Sequence, residues 1–123
     1  MLEAYSENIT VVADSAIPFQ NVALKKGCTA ELSGTSTIEL NKCGVYMIAA
    51  NASSGTSATI QLFKNGVAQA QAQSTGTSPC FTTLVQVSEN NSFCPCTAPV
   101  SLQIISDTAT TFTNANVTVT KVI

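Results

Sequence analysis

The sequence predicts an all-β protein, an antiparallel sandwich or barrel of about nine or ten short strands. Three observations carry that reading. Runs of Val, Ile, Thr, Phe and Ala recur along the chain, several with the period-two alternation of a half-buried strand. Clusters of Gly, Asn, Ser, Lys and Pro punctuate them at short intervals. No segment shows the longer apolar period of an amphipathic helix. At 123 residues the chain is one domain, long enough to bury roughly two-thirds of its unfolded surface without covalent staples.

Taken in order, Asn8 to Ala13 is a short strand of β-branched residues, and Asp14-Ser15-Ala16 breaks it. Residues 1–16 are therefore an N-terminal arm or a first strand, and residues 17–123 the sandwich. Ile17-Pro18-Phe19 opens a second extended piece that runs to Leu24. Pro18 cannot donate to a ladder and belongs at a strand start or an edge. Lys25-Lys26-Gly27 is a turn. Thr29 to Leu32 and Thr37 to Leu40 are short runs split by Ser33-Gly34-Thr35-Ser36.

Asn41-Lys42-Cys43-Gly44 turns into Val45-Tyr46-Met47-Ile48-Ala49-Ala50, the stretch around which the others are arranged. Both faces of this strand are apolar: Val45, Met47 and Ala49 on one, Tyr46, Ile48 and Ala50 on the other. A strand with one wet face alternates apolar with polar residues, so this one is central and covered on both sides. A second sheet covers one face and another subunit is expected over the other. The sequence does not say which is which. Asn51 to Ser57 is a polar loop. Ala58 to Phe63 follows, and Asn65-Gly66 supplies the two residues that tolerate positive φ in a tight hairpin. Val67 to Gln73 alternates small apolar residues with Gln. Helix is the competing reading there, because Ala and Gln are good helix formers, but the preceding turn favours strand. Ser74 to Pro79 is a loop, Phe81 to Val87 a strand, Glu89 to Ser92 a turn. Val100 to Ile105 and Ala115 to Ile123 are the last two strands, with Phe112 at the start of the final ribbon.

Charged residues make up 10% of the chain, well under the usual ~25%. The surface is polar but uncharged, which suits permanent contact with neighbours. The five cations are all lysines and the net charge is −2, so no basic stripe for a nucleic-acid partner is expected. Lys25-Lys26 reads as a solvated turn. The N-terminus shows no secretory signal, and the longest apolar run is far too short to span a bilayer. No membrane association is expected.

Catalysis is tested against the inventory of side chains. There is no His, hence no Ser-His or Cys-His pair. The carboxylates Glu3, Glu7, Asp14, Glu31, Glu39, Glu89 and Asp107 have no paired acid–base spacing, and no phosphate loop or calcium loop appears. The chain is expected not to be an enzyme and to carry no cofactor or metal. Four Asn-x-Ser/Thr sequons, at Asn8, Asn51, Asn90 and Asn116, are what chance gives in a chain this rich in Asn, Ser and Thr. Of the cysteines 28, 43, 80, 94 and 96, at least one is unpaired within the chain, and spacing leaves connectivity open. Cys28 and Cys43 are a candidate disulfide. Cys94-Pro95-Cys96 is the other local pair. Plain buried or loop thiols are the bland alternative to both, and a zinc site lacks ligands.

Ile17-Pro18-Phe19, Gly44-Val45-Tyr46, Lys64-Asn65-Gly66, Phe81 to Val87 and Ala115 to Val119 occur in an order and spacing that resembles the complement and tumour-necrosis-factor superfamily. The resemblance is to its small bacterial and phage members in particular, including the C-terminal domains of spore-surface collagen-like proteins. Lys26 to Ala30, Asn41 to Met47, and Cys94 with Cys96 read as in phage-encoded members. The match covers residues 15 to 123. Two departures stand out. No collagen-like stalk is expected before the domain, and Cys96-Thr97-Ala98-Pro99 replaces the Gly-Asp pair that relatives carry. The resemblance implies a jelly roll that assembles as a trimer about a three-fold axis, in keeping with the surplus of apolar strand faces.

The candidate trimer interface is Tyr46, Ile48, Phe63, Phe81 and Phe112. Phe63 is included because it is out of step with Ala58, Ile60 and Leu62. The expected role is that of a structural virion protein of a bacteriophage, decorating or stabilising the capsid. Its partners would be the major capsid protein or other virion proteins, and Tyr5, Ile9 and Val11 would serve as a docking arm. The alternative is a tail or fibre module binding a host-surface glycan or protein through residues 51–57 and 74–79, loops that contain no aromatic residue. A spore-coat or cell-surface component is a third reading.

Overall fold

The computed structural model describes residues 1–27, 29–87 and 100–123. Eleven strands account for most of them, all paired antiparallel: β1 Leu2–Val11, β2 Ser15–Ala16, β3 Asn21–Lys25, β4 Ala30–Ser33, β5 Thr37–Leu40, β6 Gly44–Ser54, β7 Ala58–Lys64, β8 Val67–Gly76, β9 Cys80–Val87, β10 Val100–Ser106 and β11 Thr110–Lys121. They form two sheets. Sheet I runs β3-β1-β11-β6-β9, and sheet II runs β4-β5-β10-β7-β8, with the two-residue β2 also paired to β10. The described residues contain no helix, so the helical reading of Val67 to Gln73 drops out: that stretch is edge strand β8.

Residue parity decides which side chains meet between the sheets. On sheet I, Leu2 and Ala4 of β1 stand opposite Val119 and Val117 of β11. Those two stand opposite Ile48 and Ala50 of β6, and Tyr46 stands opposite Val85 of β9. On sheet II the inward set is Ile38, Leu40, Ile60, Leu62, Val100, Leu102 and Ile104, all buried. Aliphatic side chains of this kind contribute about 1.5–3 kcal/mol each when fully buried. Phe19 and Phe112 are both about 1% exposed or less and belong to the same core.

The strands run longer than the sequence pattern indicates. β6 continues through the expected loop to Ser54, and β8 through Ser74 to Gly76. At the N-terminus the first-strand alternative is the one found: residues 2–11 are strand β1, hydrogen-bonded on both sides, to β11 and β3, and not a free docking arm. Val11 is buried and Ile9 is partly buried against the core. Tyr5 is half-buried on the outer side. Ser6, fully buried, explains how a polar residue fits this central strand. Its Oγ donates to the Pro18 carbonyl at 2.6 Å and accepts from the Gln20 amide at 2.8 Å. The segment around Pro18, between β2 and β3, is thereby pinned to sheet I without ladder bonds of its own.

Candidate functional site

The five residues expected at a trimer interface do not come together. Tyr46, Ile48 and Phe112 have no exposed surface in the single chain. They are core, and that part of the expectation is wrong for a simple reason: the largest side chains of β6 and β11 lie on the faces that close against sheet II. The Tyr46 hydroxyl reaches the Lys42 carbonyl at 2.8 Å, so its one polar atom is satisfied inside. Burial pushes this phenol above its ordinary value, opposed in part by that hydrogen bond. Phe81 is on the inner side of β9, partly buried against the core. Phe63 lies on the outer face of sheet II, opposite Gln103.

The outer face of sheet I carries an exposed apolar centre. Val45, Met47 and Ala49 of β6 face outward, opposite Thr120 and Thr118 on β11 and Gln86, Leu84 and Thr82 on β9. Met47 and Leu84 are directly paired, and Leu84 is 62% exposed. The outward positions of these three strands carry no charge. Charged groups border the face: Glu3 toward β1, accepting from Asn116 Nδ2 at 3.3 Å, and Lys64 and Lys121 at the end beside Gln86. An uncharged sheet face with exposed Met and Leu at its centre differs from an ordinary solvated face, which interleaves charges. The signal for it was in the sequence. Tyr46, Ile48, Ala50 and Ala52 are an unbroken apolar series, whereas the Val45, Met47, Ala49 series runs into Asn51.

Concavities lie at the end of this face and on sheet II. A cleft of about 600 Å³ opens beside Gly44, Val45, Gln86 and Lys121. A pocket of about 70 Å³ on the outer face of sheet II is bordered by Asp14, Asp107, Phe63 and Ile105. The Asp107 carboxylate is already engaged. It accepts from the Thr59 amide at 2.9 Å and from the Thr108 hydroxyl at 2.7 Å, bonds that hold it below the ordinary carboxylate value. Among the described residues no three His, Cys, Asp or Glu side chains are grouped so as to hold a metal ion. No helix among them is long and apolar enough to cross a membrane.

Cys43 is disulfide-bonded and Cys80 is an exposed free thiol. Cys28, Cys94 and Cys96 lie outside the described residues, so the Cys28–Cys43 pairing is neither supported nor opposed.

Comparison with solved structures places this architecture. The chain is similar to vertex protein P5 of PRD1, with a TM-score of 0.68 and 11% identity over 99% of this chain and 96% of that one. It is likewise similar to rabbit GITRL, with a TM-score of 0.60 and 11% identity over 100% of this chain and 95% of that one. No family model matches, and no curated protein matches. Likeness at this identity establishes the fold: a small jelly-roll sandwich of the kind shared by a tumour-necrosis-factor-like ligand and a phage vertex protein.

Proposed function

We propose that the chain is a structural virion protein of a bacteriophage, assembled as a homotrimer and held to the capsid by contacts with other virion proteins. The observation that carries the virion role is the full-length likeness to vertex protein P5 of PRD1. The trimer is supported by the outer face of sheet I, where Val45, Met47 and Leu84 form an apolar centre in an uncharged surround. Copies of one chain arranged about a three-fold axis bury such a face in a closed assembly. The low overall charge fits a surface that spends its life against neighbours. The alternative of a glycan-binding tip gains nothing from the loops between β6 and β7 and between β8 and β9, which contain only small and polar residues and Pro79.

The role is tested by protein mass spectrometry of gradient-purified phage particles from the genome that encodes the chain. The expected result is a stoichiometric virion component that stays with the head through gradient purification. A chain found only in the lysate, and absent from particles, contradicts the role.

A further inference from the structure

All five lysines of the chain lie at one end of the sandwich. Lys25 stands opposite Leu2 at the start of β1, and the Lys26 amide and carbonyl both bond to Met1. Lys121 stands opposite Tyr46, whose hydroxyl is bonded to the carbonyl of Lys42. Lys64 Nζ bonds to the Gln86 carbonyl at 2.9 Å, and Gln86 stands opposite Val45. These residues come from strands and turns of both sheets, and all map to the end where β1 begins and β11 finishes. Nothing in local sequence puts them together, since they are scattered from position 25 to position 121. The opposite end, where β1 finishes opposite Thr110, carries both aspartates of the chain, Asp14 and Asp107, and no lysine.

We infer that the lysine-bearing end is the end by which the chain docks on its virion partner, and that the partner presents an acidic protein surface there. The inference rests on the virion reading above and adds the orientation and the chemistry of the contact. Segregating every cation to one end gives the molecule a charge polarity that orients it on approach to a charged partner. The pattern within the end selects the class of partner. Glu3, Glu31 and Glu39 lie in the same half of the sandwich, with Lys25 Nζ 3.8 Å from Glu31 and Glu31 directly opposite Glu39. A uniformly negative polymer, such as a nucleic-acid backbone, meets those carboxylates as well as the lysines. A folded protein surface places its carboxylates opposite Lys26, Lys42 and Lys121, which are exposed, and leaves the glutamates facing neutral groups. All five cations are lysines, which act as point charges without the planar fork that recognises phosphate in two-point fashion.

The experiment is zero-length carbodiimide cross-linking of purified particles, which joins a lysine amine to a touching carboxylate, read by peptide mass spectrometry. The inference expects amide links from Lys26, Lys42 or Lys121 to acidic residues of another virion protein. It also expects that K26E/K42E, with unchanged melting temperature and oligomeric mass, is incorporated at least tenfold less than wild type, while D14K is incorporated normally. Links running instead from Asp14 or Asp107 to partner lysines overturn the inference and leave the virion role standing, as does normal incorporation of K26E/K42E. Tight binding of the purified protein to duplex DNA at physiological ionic strength, lost in K26E/K42E, overturns the choice of a protein partner. Absence of the chain from particles removes the virion role and the inference with it.

Discussion

Gly44 is the residue on which the central strand turns. Its φ is +144°, in the region that disfavours side chains, and an added Cβ would collide with the Ile123 carbonyl and lie 2.7 Å from Lys121 Cε. The Lys121 side-chain end can swing aside, but the Ile123 backbone cannot retreat easily, because the adjacent Val122 amide is bonded to the Val45 carbonyl at 2.8 Å. Gly44→Ala is therefore expected to lose roughly 1–3 kcal/mol, the cost of one forced backbone conformation, measured by urea unfolding. Two residues on, Tyr46 makes a pH prediction. Its folded-state value is raised above 10.0 by burial. The neutral phenol is the form that the fold accommodates, so its contribution is complete below about pH 10 and is lost as pH rises through the raised value. Wild type should lose stability above pH 10 more steeply than Tyr46→Phe, and at neutral pH that variant should be weaker by about 1 kcal/mol, the typical worth of one hydrogen bond. Parallel alkaline limbs for the two proteins would place the hydroxyl in water.

At the scale of elements, the β7–β8 hairpin shows what sequence can encode fully. Asn65-Gly66 was legible as a tight turn, and both residues have positive φ, +51° and +80°. What the dipeptide does not announce is its tie to a strand 36 residues away. The Asn65 amide donates to the Ser101 carbonyl, and Asn65 Oδ1 accepts from the Ser101 amide, both at 2.8 Å. The Asp107–Thr59 pair repeats the device at the other end of the same two strands. Asn65→Ala should therefore cost about 1–2 kcal/mol, more than a turn preference alone, because the Ser101 amide loses its acceptor as well as the turn losing a residue that tolerates the left-handed conformation. Thermal melting checks this, and Asn65→Asp should recover most of the loss by keeping the acceptor. β1 is the opposite case. Leu2, Ala4 and Ser6 alternate with Glu3, Tyr5 and Glu7 in plain period two, yet the small and polar members hid a strand that is central. Only tertiary placement shows that Ser6 has partners at Pro18 and Gln20.

At the scale of the whole molecule, the fold class and the two-sided apolar character of β6 were readable because periodicity and turn chemistry are local. The assignment of faces was not, because it depends on which side meets the second sheet. Size is no guide to the outer face: Tyr46, Ile48 and Phe112 are large, and their size is what fits them to the core. The clustering of the lysines was also invisible, since register among strands far apart in sequence brings them to one end. Among the described residues, Met47 and Leu84 form an exposed apolar pair on the outer face of sheet I, with lysines at the end beyond it.

The central claim is that this face is closed by further copies of the chain, and sedimentation equilibrium tests it most directly. The wild-type protein should sediment at three times its 12.7 kDa chain mass. Met47→Asp and Leu84→Asp, each folded by circular dichroism, should weaken assembly at least tenfold, as expected when about 1.5–3 kcal/mol of side-chain burial per contact is lost. A wild-type protein that stays monomeric at high concentration, or an intact trimer in both variants, would contradict the account.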